Sequence, residues 1–157
     1  MVQASDQPPS TPSTPGFGWD LEELANAVIG SAIRVHRLLG PGLLESAYEA
    51  CLIHELSKLG IPTRRQVPMP IRYDSIVLDV GYRLDLLVDD QLIVEAKCVD
   101  QLDRVHFAQI LSYLRLSGLR VGLLINFNEA LLKQGLRRIV NRYADPTHPD
   151  QSFSEKP

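Results

Sequence analysis

Cysteine is scarce in this chain: Cys51 and Cys98 are the only two in 157 residues. They lack metal-ligand spacing, and one pair does not make a disulfide framework, so both read as reduced core residues of a cytoplasmic protein. The histidines His36, His54, His106 and His148 are scattered. None forms the i,i+4 pair or His–Cys grouping that a zinc site wants, which argues against all of them as ligands. Long apolar runs are missing too, as are the basic start and apolar segment of a secretion signal, so no membrane partner is expected. Nor is there an excess of positive charge. The formal net charge is -3, which argues against coating nucleic acid through bulk charge and leaves only a local basic groove.

What is there suits one globular domain. Hydrophobic content is 45%, and a chain of this length can bury roughly two-thirds of its extended surface. Residues 1–18 are rich in Pro, Ser and Thr and read as a disordered tail, 19–143 as the folded domain and 144–157 as a second tail. From Asp20, a plausible N-cap, Leu21, Leu24, Val28, Ala32, Val35 and Leu39 recur at helical spacing up to Gly40-Pro41-Gly42. A second helix follows to Gly60, with Leu44, Ala47, Cys51 and Leu52 facing inward. Pro62 to Tyr73 reads as an edge or bulged strand because of Pro68 and Pro70, and Asp74-Ser75 as a turn. Ile76 to Val88 and Leu92 to Val99 read as a hairpin. Asp100 is the expected cap of the next helix, with Val105, Ala108, Leu111 and Leu114 inward; LRVGLLINF is a buried strand reached by a parallel crossover. A final helix is expected from Glu129 to about Tyr143, with Lys133, Arg137, Arg138 and Arg142 on a solvated face.

The chemistry concentrates in RLDLLVDDQLIVEAK, Arg83 to Lys97. Charge is out of place on apolar strands unless it is paired, solvated or bound to metal. Side chains alternate across a strand, so Glu95 and Lys97 share a face. A two-residue turn at Asp89-Asp90 would set Asp85 against the wrong face. A three-residue or bulged turn around Asp89 to Gln91 pairs 85 with 95 and lays the two carboxylates side by side. Such a pair raises the pKa of one member unless a cation lies between them, and Mg²⁺ is the natural hard-oxygen candidate. The bland alternative is an ion-pair cluster that only fixes strand register.

Glu45 on a helix, Asp85 on a strand, Glu95-Ala96-Lys97 on the next strand, then Gln109 and Tyr113 one turn apart on a helix occur in one order. This order resembles the PD-(D/E)XK nuclease superfamily, and Gly42-Leu43-Leu44-Glu45-Ser46-Ala47-Tyr48 resembles the signature of the small GxxExxY proteins. Leu84 stands where the superfamily often has Pro before the Asp. The resemblance implies an α/β fold, a mixed central β-sheet flanked by helices. It implies Asp85, Glu95, the Ala96 carbonyl and Glu45 as ligands of Mg²⁺ or Mn²⁺, with Glu45 acting through a water or on a second ion. Lys97 would stand beside the attacking water, Gln109 would orient it or a phosphate oxygen, and Tyr113 would support Gln109. The implied reaction is metal-dependent phosphodiester hydrolysis on DNA or RNA. Tyr48 reads as packing, Arg83 as a surface residue, and Arg64-Arg65 as ambiguous. A second class of function stays open: a nuclease-fold binding or assembly subunit with little catalysis, as a homo-oligomer or beside a targeting partner protein.

Overall fold

The structure, a computed structural model, describes residues 18–142. The tails expected at either end therefore lie outside the described residues, except Gly18.

Helix α1 runs Leu21–Leu39, and its start is fixed by a capping box. Asp20 Oδ1 accepts from the Glu23 N–H at 2.8 Å while Glu23 Oε2 accepts from the Asp20 N–H at 3.0 Å, which satisfies donors that the first turn leaves open. Its buried stripe is Leu24, Ala25, Val28, Ala32 and Val35, close to the expected one. Helix α2 spans Glu45–Lys58 and buries Tyr48, Glu49, Leu52 and Leu56. Leu44, expected inward, is 77% exposed, because it is the extended N-cap residue and the helix begins one position later. Ala47 and Cys51 are half-buried at the margin of the stripe.

Five strands form the main sheet in the order β1-β4-β5-β6-β7. These are β1 Thr63–Pro68, β4 Arg83–Val88, β5 Leu92–Lys97, β6 Val121–Asn126 and β7 Leu136–Val140. Only β5 and β6 are parallel, joined through helix α3, Arg104–Ser117. The sheet is mixed and flanked by helices, as expected. One core lies between the sheet and α1–α2, where Leu86, Val88, Leu92, Val94 and Ala96 meet Leu24, Val28, Tyr48 and Leu52. The other lies under α3, where Ile93 and Leu124 meet Ile110, Tyr113 and Leu114. Strands buried on both faces need near-continuous apolar sequence, and β6 is buried at every position.

Three readings need correction. The expected hairpin strand Ile76 to Val88 is two strands: β3, Ile76–Leu78, pairs with β2, Ile71–Tyr73, in a ribbon of its own, and β4 begins only at Arg83. Gly81, at φ 80, interrupts the run between them. Helix α3 is capped by Asp103, which accepts from the Val105 N–H at 2.9 Å, rather than by Asp100. Its buried residues are Ile110, Tyr113 and Leu114, a face set by i,i+3 and i,i+4 spacing, and Val105 is 64% exposed. The expected last helix is a short 3₁₀ turn, Leu132–Gly135, followed by β7 antiparallel to β6. Without β7 the apolar strand β6 would be an open edge; the Arg137 and Arg138 side chains are exposed on its covering strand, a common guard against further pairing. Gly135 permits the turn: a Cβ there would lie 2.5 Å from the Asn126 carbonyl.

Candidate active site

The β4–β5 connection has three residues. Val88 pairs with Leu92, Leu87 with Ile93 and Leu86 with Val94, leaving Asp89, Asp90 and Gln91 as the loop. Asp89 and Asp90 adopt φ 49 and 54, a region Asp enters more readily than most residues. The Gln91 N–H closes the turn on the Val88 carbonyl at 3.0 Å. This is the odd-length turn that the site demanded, and continuing its register sets Asp85 opposite Glu95.

At that level the backbone ladder stops and side chains take over. The Asp85 N–H donates to Glu95 Oε1 at 3.3 Å, and the Ala96 N–H donates to Asp85 Oδ2 at 3.1 Å. On the other side of β4, pairing with β1 skips the Gln66–Asp85 level, and Gln66 has φ 51. The strand turns over here: Leu86 joins the α1–α2 core and Leu84 the α3 core, although residues two apart ordinarily share a face. Asp85 thus occupies a break in the sheet, with its carboxylate free of a regular ladder position.

Glu95 is 2% exposed. Burial, followed by the neighbouring Asp85 charge and a hydrogen bond with that carboxylate, pushes its pKa up to about 9, against a smaller opposing pull from Lys97. Lys97, half-buried, donates from Nζ to Gln109 Oε1 at 3.2 Å, and Gln109 Nε2 donates to the Tyr113 hydroxyl at 3.0 Å. Burial raises the Tyr113 pKa, the hydrogen bond from Gln109 lowers it, and the charges of Glu95 and Asp85 add to the rise. The lysine is therefore held by the amide, not locked onto the carboxylates.

Glu45 opens α2 and accepts the Cys98 N–H on Oε1 at 3.3 Å, just past the end of β5. Tyr48 fixes the loop that leads to it. Its ring stacks on Phe127 at 4.4 Å, its hydroxyl donates to the Gly40 carbonyl at 2.5 Å, and the Leu43 N–H donates to that hydroxyl at 3.2 Å. Tyr48 is packing, as its sequence suggested, but packing that sets the glutamate's position.

The sequence reading missed Glu49 and Asn126. Glu49, one turn after Glu45, is 4% exposed and accepts from Arg65 Nε at 2.9 Å and from Gln66 Nε2 at 3.4 Å. Burial first, then the Asp85 charge, raises its pKa, while Arg65 opposes the shift. A carboxylate falling on the buried stripe of an apolar helix was the available signal. Asn126, fully buried beside Lys97, accepts the Val99 N–H at 3.1 Å and donates to the Val99 carbonyl at 2.8 Å, which holds the segment leaving β5. Burial and the charges of Glu45 and Glu49 push the Cys98 thiol up to about 11, so it stays protonated.

The other candidates have structural partners. Arg64 pairs with Asp90 and Arg65 with Glu49. His36 Nε2 lies 2.7 Å from the Glu129 carbonyl, and His106 Nδ1 accepts the Asp103 N–H at 3.0 Å. His148 lies outside the described residues. Arg138 pairs with Glu22, and Arg83 is exposed. Among the described residues no three His, Cys, Asp or Glu side chains gather closely enough to hold a metal by themselves. The donors brought together are Asp85 and Glu95, oxygen ligands that either share a proton or take up a hard cation. Among the described residues no helix is long and apolar enough to cross a membrane.

No curated protein and no solved structure matches the chain. Residues 22–139, a span holding every side chain of this cluster, match the family model of the PD-(D/E)XK nuclease superfamily, and the chain belongs to that superfamily.

Proposed function

We propose that the chain is a metal-dependent phosphodiester hydrolase, a nuclease of the GxxExxY kind, acting at the Asp85–Glu95–Lys97 cluster. The observation that carries this reading is the pair of carboxylates at the break in the β4–β5 ladder, where Glu95 accepts from the Asp85 N–H and Asp85 from the Ala96 N–H instead of pairing with cations. The donor set fits Mg²⁺ or Mn²⁺: it is all oxygen, and two carboxylates leave the remaining positions to the Ala96 carbonyl and to water, which suits an ion that keeps part of its hydration.

When bound, such an ion would supply Lewis acidity toward a phosphoryl oxygen and would acidify water. The protein's own groups do the rest. Asp85 and Glu95 hold the charge, and their position is fixed by strand register. Lys97, held by Gln109, offers an ammonium to charge building on the phosphate. Gln109 is oriented in turn by Tyr113. Glu45, stationed by Tyr48 and the Gly40–Leu43 loop and bonded to the Cys98 N–H at the end of β5, would hold a water or a second ion there. The substrate is nucleic acid.

A cleavage assay on DNA and RNA with Mg²⁺, Mn²⁺ or EDTA tests this. Activity should require metal and vanish in Asp85→Asn and Lys97→Ala. Activity that persists in either variant would overturn it.

A second reading, a nuclease-fold subunit that assembles with copies of itself or with a targeting protein, is favoured by one feature. The β2–β3 ribbon leaves Tyr73 71%, Ile76 50% and Val77 60% exposed. It predicts a stable oligomer by light scattering that survives Asp85→Asn, and a strictly monomeric species would remove the self-assembling form.

A further inference from the structure

Beyond the carboxylate cluster, the chain of contacts Lys97–Gln109–Tyr113 does not end at the buried tyrosine. The ring of Tyr113, 5% exposed, meets the ring of Tyr82 edge to face, with centroids 6.4 Å apart and planes at 61°. Tyr82 belongs to neither hydrophobic core and is 47% exposed. Its backbone is nonetheless fixed, since the Met69 N–H donates to its carbonyl at 2.8 Å. It immediately precedes β4, and at about 3.3 Å per strand residue its Cα stands roughly 10 Å from that of Asp85. An aromatic ring is thus anchored at its backbone, braced by the ring that Gln109 bonds, and left half open to solvent.

We propose that Tyr82 is the stacking platform for an unpaired nucleobase flanking the scissile phosphate, so that single-stranded nucleic acid is the substrate class. This rests on reading the cluster as a phosphodiester-hydrolysing site. Inside a duplex both faces of each base are covered by neighbouring bases, and a protein ring reaches a base face only where the strand is unpaired. Every base has such a face, so a platform of this kind selects single strands without reading sequence. The net charge of -3 points the same way: with little bulk attraction for phosphate, stacking must supply a larger share of binding.

The test uses the full chain, fluorescein-labelled oligothymidylate and oligouridylate, and a mixed-sequence duplex. Binding is read by anisotropy in Ca²⁺ buffer, and cleavage in Mn²⁺ buffer. Single strands should bind more tightly than duplex. Tyr82→Leu, which keeps apolar contact with Tyr113 but has no flat π-face, should weaken single-strand binding on the order of tenfold or more, raise KM and leave kcat and Tm near the parent values. Tyr82→Phe and Tyr82→Trp should restore binding. An oligonucleotide of abasic sites should bind parent and Tyr82→Leu equally, because the missing base and the missing ring remove one contact. Tighter binding of duplex, unchanged single-strand binding by Tyr82→Leu, or equal losses on normal and abasic strands would overturn the proposal. Cleavage undiminished in Asp85→Asn would instead refute the hydrolytic reading, while the binding arms still decide the role of Tyr82.

Discussion

The two ends of the β4–β5 pair are built from the same strands and solve the same problem differently. At the turn end, Leu86 to Val88 pair with Leu92 to Val94 in a regular ladder with apolar side chains on both faces. At the open end the ladder stops, and the Asp85 and Ala96 N–H groups are satisfied by carboxylates. The first arrangement is closed, with every group committed to the fold. The second satisfies the backbone with groups that can also take a cation, so it stabilises the protein less and leaves the site chemically available.

That contrast sets the size of each expected effect. Asp85→Asn or Lys97→Ala should reduce metal-dependent cleavage by ~100-fold or more, the scale seen when one charge-stabilising group is lost, while circular dichroism stays that of the parent. Leu92→Ala at the closed end, fully buried, should cost about 2–5 kcal/mol in denaturant unfolding. Glu95→Gln at the open end should be near neutral in EDTA below about pH 9, where Glu95 already holds its proton, and stabilising above it, where burial and Asp85 oppose its charge. If Glu95→Gln proves as destabilising as Leu92→Ala, the cluster is a structural ion pair and the contrast fails.

The pH response separates the ends further. Glu95 has its pKa raised from 4.5 to about 9 by burial and by Asp85. Between those values the folded protein binds more protons at this site than the unfolded chain. Its contribution to stability is therefore present below the lower value and lost as pH rises through the upper one. In EDTA the unfolding free energy, and the Tm with it, should fall as pH rises across that window, and Glu95→Gln should flatten the fall. Leu92→Ala should shift the curve without changing its slope. A loss smaller than that of Leu92→Ala belongs to Tyr48→Phe, which removes the hydroxyl joining Gly40 and Leu43. Stability should drop by about 1 kcal/mol, with a larger proportional loss in cleavage as Glu45 loses its station.

Much of this was readable from residues alone because strand alternation is rigid. Once Glu95 and Lys97 shared a face, Asp85 could join them through an odd-length loop or a bulge, and a three-residue loop is present. Gln109 and Tyr113 were one turn apart by count, and they touch. What escaped depended on partners distant in sequence. Leu136 to Val140 carries helix-compatible residues and becomes a strand because β6 needs an edge partner. Glu49 looked like an ordinary helix carboxylate until β1 brought Arg65 to it. The turnover of β4 between Leu84 and Leu86 leaves no mark in the local pattern, because it depends on Gln66 in the neighbouring strand.

The most direct measurement is a crystal of the full chain soaked in Mn²⁺ and recorded at a wavelength where manganese scatters anomalously. An anomalous peak within coordination distance of both Asp85 and Glu95, absent from Asp85→Asn crystals, is the expected result. Ordered carboxylates still holding the Asp85 and Ala96 N–H groups, with no peak at saturating Mn²⁺, would contradict the account.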